Sequence, residues 1–173
     1  MGRVFKVLDR QGGAHVALKT LRASTASDRR RFESEVRTLS KLHHKNVVRL
    51  FDTGVAGNEI FFTMELLEGV PLDRFLDGAP PGAAEIQRIL AIALEVMEAL
   101  EYIHARGVIH RDVKPSNIMV LGVRDAASAF EGPVPPVKLM DFGLARGLET
   151  AARRGQIVSG TPLYMAPEQV SGA

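Results

Sequence analysis

The stretch His110-Arg111-Asp112-Val113-Lys114-Pro115-Ser116-Asn117 decides how this chain is read. It places three charged groups and an amide within eight residues, after an apolar helical pattern and before the apolar run Ile118-Met119-Val120-Leu121. Polar groups gathered between two buried elements are a poor arrangement for stability, because each must find a partner or lose free energy. Loops lie at the surface, where a rigid scaffold can aim such groups at a ligand. The loop therefore reads as an active site and the rest of the chain as what positions it.

Outward from this loop, the chain alternates strand-like and helix-like segments. Val4 to Leu8 and Val16 to Leu21 read as strands, with Asp9 to Gly13 as the turn of a hairpin. Ser24 to Ser27 offers helix N-caps, and Asp28 meets the positive end of the helix dipole. Phe32, Val36, Leu39 and Leu42 then recur at helical spacing as a buried stripe. Val47 to Phe51 and Glu59 to Leu67 read as two further strands, separated by turn residues around Gly54 and Gly57.

Leu72 to Leu76 suits a short helix stopped by Pro80-Pro81-Gly82. A long helix follows from Ala83 to Ala105 and ends before Gly107, as helices often do at glycine. Its apolar positions nearly encircle it, with Arg88, Glu95, Glu98 and Tyr102 on the polar side, so cover is expected on most sides. Residues 122–136 turn small, charged and proline-rich, the pattern of a loop in which Phe130 is the one plausible anchor for a partner. Val137 to Met140 returns to strand and delivers Asp141.

Composition narrows the class. The 173 residues are 46% hydrophobic and 24% charged, ordinary for a globular chain and unlike a disordered one. A net charge of +2 implies neither a nucleic-acid nor a membrane footprint, and Arg29-Arg30-Arg31 reads as a solvated helix face. Without cysteine there is no disulfide, thiolate metal site or cysteine nucleophile. The longest apolar stretch, Ile89 to Leu94, is stopped by Glu95 and is too short to span a bilayer. Met1-Gly2-Arg3-Val4 runs straight into strand-like sequence with no signal peptide, so the expected compartment is cytoplasmic, with tethering left to segments outside this chain. His43, His44 and Asn46 suggest a metal cluster only at first sight, since adjacent histidines at a helix end cannot share one face.

His110 to Asn117 resembles the catalytic loop of protein kinases. Asp141-Phe142-Gly143 and Ala166-Pro167-Glu168 follow in that family's order, and Val16-Ala17-Leu18-Lys19 precedes them. Each short motif is weak alone, but the ordered series, from Gly2 to Glu168, is specific. The resemblance is to eukaryotic-like (Hanks-type) serine/threonine kinases. It implies an α+β, protein-kinase-like two-lobe fold, with a β-rich N-lobe carrying one helix and the first part of a helical C-lobe. Residues 1–64 would be an incomplete N-lobe, 65–71 the hinge, and 72–173 the C-lobe through the activation segment. Gly2-Arg3-Val4 resembles the end of the glycine-rich loop, whose first two glycines and preceding strand are absent. The later C-lobe helices are absent as well, so the expectation is a partial domain, poorly stable and catalytically weak alone.

What the resemblance implies about function is ATP-dependent transfer of a γ-phosphoryl group to Ser/Thr hydroxyls of protein substrates, with Mg²⁺ or Mn²⁺. Asp112 would orient the substrate hydroxyl, Lys114 would meet the γ-phosphate, and Thr161 would bridge the two. Asn117 and Asp141 would hold the metal. Lys19 would hold the α- and β-phosphates and pair with Glu35, a contact worth about 4 kcal/mol before desolvation at an effective dielectric of about 20. Val4 and Ala17 would cover the adenine, Met119 would support it, Met64 would close the pocket's back, and the backbone of Glu65 and Leu67 would bond its edge. Lys114 two residues after Asp112 is the serine/threonine pattern. Arg111 marks kinases switched by activation-loop phosphorylation, yet the usual phosphosite falls on Ile157, leaving Thr150 or Ser159. The implied partners are ATP and a Ser/Thr protein substrate, with no nucleic acid and no membrane contact by this segment. Three other readings compete: a pseudokinase or regulatory module of the same fold, a small-molecule kinase, and a hydrolase using Asp112 and Asp141 as paired carboxylates.

Overall fold

The computed structural model describes residues 2–22, 25–57, 59–77, 82–123, 133–144 and 162–167. The elements are β1 (Arg3–Leu8), β2 (His15–Arg22), α1 (Ala26–Leu39), β3 (Leu50–Ala56), β4 (Glu59–Glu65), β5 (Gly69–Pro71), α2 (Leu72–Leu76), α3 (Ala83–His104), β6 (Ile118–Leu121) and β7 (Val137–Leu139). Short 3-10 turns occur at Pro115–Asn117 and Pro162–Tyr164. The chain divides into two units: the described residues of 1–42, 49–66 and 142–173, and those of 43–48 and 67–141.

In the first unit an antiparallel sheet runs in the order β1-β2-β4-β3. The expected hairpin forms because Asp9 organises its turn, accepting from the N–H groups of Gln11 (2.9 Å) and Gly12 (3.1 Å). Gly13, at φ 69°, takes the left-handed conformation that closes it. Helix α1 starts at Thr25 with a reciprocal capping box: Asp28 N–H donates to Thr25 Oγ1 (3.1 Å) and Thr25 N–H to Asp28 Oδ2 (3.0 Å). Phe32, Val36, Leu39 and Leu42 are buried, as their spacing predicts. Phe32 meets the ring of Phe62 at 5.9 Å between centroids. Burying each such side chain stabilises the unit by about 1.5–3 kcal/mol.

One strand lies elsewhere than expected. β3 begins at Leu50 and continues to Ala56. Val47 forms only a single parallel bridge to Leu139, and Val48 N–H donates to Leu139 O (3.0 Å), which ties these residues to the second unit. Gly54 lies within β3 and not in a turn. A Cβ there would sit 2.6 Å from Phe61 Cζ, so the position is glycine because an aromatic ring occupies the space. The turn belongs to Gly57, at φ 61°.

The second unit holds the antiparallel sheet β5-β6-β7 with α2 and α3. α3 ends as expected: Gly107, at φ 71°, donates its N–H to His104 O (2.9 Å). Its packing corrects the sequence expectation, because the side carrying Glu95 and Tyr102 is a packed one. Tyr102 Oη accepts from His43 N–H (2.9 Å), and Glu95 Oε2 accepts from Asn46 Nδ2 (2.7 Å) and Val137 N–H (3.3 Å). The neighbours of this face offer backbone groups that need polar partners, which an apolar face could not supply. The stripe Ile86, Leu90, Leu94 and Met97 is exposed instead. His44 stacks on Tyr102 at 4.8 Å and its Nδ1 accepts from Asn46 N–H (3.2 Å), a structural use of this histidine. Among the described residues, no helix is long and apolar enough to cross a membrane.

Candidate active site

The loop after α3 is held by its own first residue. His110 is buried, at 1% exposure. Its Nδ1 accepts from Asp112 N–H (3.3 Å), so Nε2 carries the proton and donates to Met140 O (3.0 Å). Met140 N–H in turn donates to Asn117 O (2.9 Å). Both backbone groups of the residue before Asp141 are thus anchored to the loop. That is how β7 brings Asp141 into register with 110–117.

Within the loop, three expected site residues meet directly. Asn117 Nδ2 donates to Asp112 O (2.8 Å) and Asp112 Oδ2 (2.9 Å). Lys114 Nζ lies 3.0 Å from the same Oδ2, with the two side chains 21% and 20% exposed. The 3-10 turn starting at Pro115, where a missing N–H costs nothing, swings Asn117 back over Asp112. Because both amide hydrogens of Asn117 face Asp112, its Oδ1 is the atom left to bind something else. Among the described residues it accepts no hydrogen bond.

Backbone strain gathers at the same place. Arg111 (φ 66°) and Asp141 (φ 59°) are the non-glycine residues with positive φ among those described. Left-handed backbone at an L-residue costs about 1–2 kcal/mol. Such strain persists where surrounding contacts over-determine it, typically at functional sites.

In the first unit the strand register gathers another set. Val4 pairs with Lys19, Lys19 with Phe62, and Ala17 with Met64. Directly paired residues share a sheet face and successive residues alternate, so Val4, Ala17, Lys19, Phe62 and Met64 lie on one face. Helix α1 packs on that face through Phe32 against Phe62, beside Lys19. Glu35 is half-buried on α1, three residues after Phe32. Glu65 N–H donates to Arg49 O (2.9 Å), so this N–H is engaged within the sheet. Leu67, in the second unit, has no backbone hydrogen-bond partner among the described residues. Met119 is half-buried on β6 in that unit. Thr161, Thr150, Ile157, Ser159 and Phe130 lie outside the described residues.

Sequence reasoning missed His110 as a positioning residue, and Glu95 and Asn46 as the polar link beneath β7. The available signal for His110 was its place directly after Val108-Ile109, where a polar residue leaving an apolar run needs a partner.

The protein kinase domain family matches residues 1–173. This chain belongs to the serine/threonine protein kinase family. Its relatives include the serine/threonine-protein kinase PknA of Mycobacterium tuberculosis, 33% identical over 181 residues, a match covering 99% of this chain and 39% of PknA. The DNA damage-responsive serine/threonine-protein kinase RqkA of Deinococcus radiodurans is 38% identical over 178 residues, covering 98% of this kinase chain and 24% of RqkA. The chain therefore spans less than half the length of these relatives. The crystal structure of the Mycobacterium tuberculosis PknI kinase domain superposes with a TM-score of 0.70 at 28% identity, covering all of the kinase chain and 61% of that one. The fold expected from the loop and its flanking motifs, an antiparallel sheet with one helix followed by helices and strands, is the kinase fold found here.

Proposed function

We propose that this chain carries the catalytic centre of a kinase that moves the γ-phosphoryl group of ATP to Ser/Thr hydroxyls of proteins in signalling. The observation that carries the reading is the Asp112–Lys114–Asn117 cluster, tied through Met140 to Asp141. Phosphoryl transfer asks the protein for alignment and charge compensation more than for covalent chemistry. Asp112, its carboxylate held by a cation and an amide, accepts the hydrogen bond of the incoming hydroxyl and orients it. Lys114 places its charge against the transferring phosphate.

The donor set fits a hard divalent cation. Asn117 presents an amide oxygen because its nitrogen is turned to Asp112, and Asp141 adds a carboxylate from a second segment. Mg²⁺ or Mn²⁺ bound there would neutralise phosphate charge, and ATP would supply the transferred group. In the same reading Lys19 meets the α- and β-phosphates and Glu35 holds it; the shared sheet face and the packing of α1 beside Lys19 support this. Val4, Ala17, Met64 and Met119 would contact the adenine, with the Glu65 carbonyl and the Leu67 backbone at its edge.

The test is phosphate transfer from radiolabelled ATP to casein and histone by the full-length protein, followed by phosphoamino-acid analysis. Phosphoserine and phosphothreonine are expected, and Asp112→Asn should lower the rate by about 10²–10⁴-fold. Nucleotide uptake without transfer would assign the chain to the pseudokinase class instead.

A further inference from the structure

The proline tract that enters β7 plays no part in the site described above, yet it is held in a defined place. Pro133, Val134 and Pro136 are exposed and Pro135 is half-buried. One end is fixed by Arg88 on α3, whose Nη1 donates to Pro133 O (3.2 Å). The other is fixed by Leu121 N–H, which donates to Pro136 O (2.9 Å), and by Glu95, which accepts from Val137 N–H (3.3 Å). Between these anchors, Val134 and the Pro135 carbonyl have no hydrogen-bond partner among the described residues.

Local chemistry restricts the backbone of this tract. Each proline ring holds φ near its fixed value, and Val134 and Pro135, each preceding a proline, are pushed to extended or polyproline II backbone. Three of the four residues have no N–H, so the tract donates almost no ladder bonds and only accepts one, at Pro136 O from Leu121 N–H. Polyproline II repeats every three residues, which puts Pro133 and Pro136 on the same edge, and both are exposed. A tract restricted by its prolines and pinned at both ends loses little entropy when it is bound.

We propose that Pro133–Pro136 is a docking tract for a small partner domain whose groove is lined by aromatic side chains, the kind of surface that recognises polyproline II. The sequence led to the expectation that any partner on 122–136 would be anchored by Phe130; the assignment here rests on the described prolines alone.

The chain contains no tryptophan, so tryptophan fluorescence reports only the partner. The experiment titrates the protein into an SH3 domain and a WW domain, each chosen with a tryptophan in its groove. A saturable fluorescence change with at least one of them is expected. The Pro133→Ala/Pro136→Ala double variant should bind about tenfold more weakly, since two buried ring contacts are removed. Val134→Glu, at an exposed side chain, should weaken binding likewise, with thermal melting showing that each variant is folded. No saturable change with either domain, or equal binding by the folded variants, would overturn the proposal.

Discussion

Lys19 and Asp112 are placed by different physics. Lys19 sits on β2, where a repeat of two residues decides the face and the pairing with Val4 and Phe62 decides the neighbours. Asp112 sits on a loop with no repeat, where specific polar contacts place it, among them His110 to its N–H, Asn117 and Lys114 to its carboxylate, and left-handed backbone at Arg111. The sheet face draws its order from many weak apolar contacts. The loop draws it from polar contacts between particular pairs of groups.

The contrast is open to attack, most forcefully through the apolar side. Phe32→Ala removes the ring that seats α1 on Phe62 and should cost about 3–5 kcal/mol, read as a lower denaturant midpoint. Faster amide exchange in α1 and β4 should accompany it. If exchange accelerated equally in 110–117, the two regions would not be separately ordered.

His110→Leu is the converse test. It keeps the bulk but leaves Met140 O and Asp112 N–H without their partner, for a loss of about 1–3 kcal/mol. If the loop depends on this contact, the rate of phosphate transfer should fall in conditions where the variant is still folded, with the KM for ATP little changed. An unchanged rate would mean that strand β7 alone positions Asp141.

The smallest effect concerns the 43–48 segment. Burial, reinforced by Lys45, lowers the pKa of His44 below its ordinary 6.5; Glu98 opposes the shift, and Arg106 and Lys138 add to it. The unfolded chain therefore binds the proton more readily than the folded one. The stability contribution is complete above pH 6.5 and declines as the pH falls below it. His44→Phe, which keeps a ring on Tyr102 but cannot titrate, should flatten that part of the melting-temperature profile.

Much of the architecture was legible because regular elements advertise themselves. The buried stripe of α1, the β1–β2 hairpin and the Gly107 stop of α3 follow from periodicity and turn chemistry. α3 misled for a physical reason. Its polar residues mark one side in the sequence, and that side is covered because the backbone of Val137 and the N–H of His43 need them, while Leu90 and Leu94 stand 59% and 58% exposed. Gly54 misled likewise, because a glycine beside an aromatic ring is written like one in a turn.

By itself the sequence determined which residue types the loop carries, their spacing, and the period that puts Ala17 and Lys19 on one side of a strand, since these depend only on neighbours along the chain. Tertiary structure alone decided which nitrogen of His110 bears the proton, which way the Asn117 amide turns, and which side of α3 is covered. Each of those choices is made by a partner distant in the chain: Met140 for the imidazole proton, and Asn46 and Val137 for the helix face. A hydrogen bond selects its donor only when the acceptor has arrived.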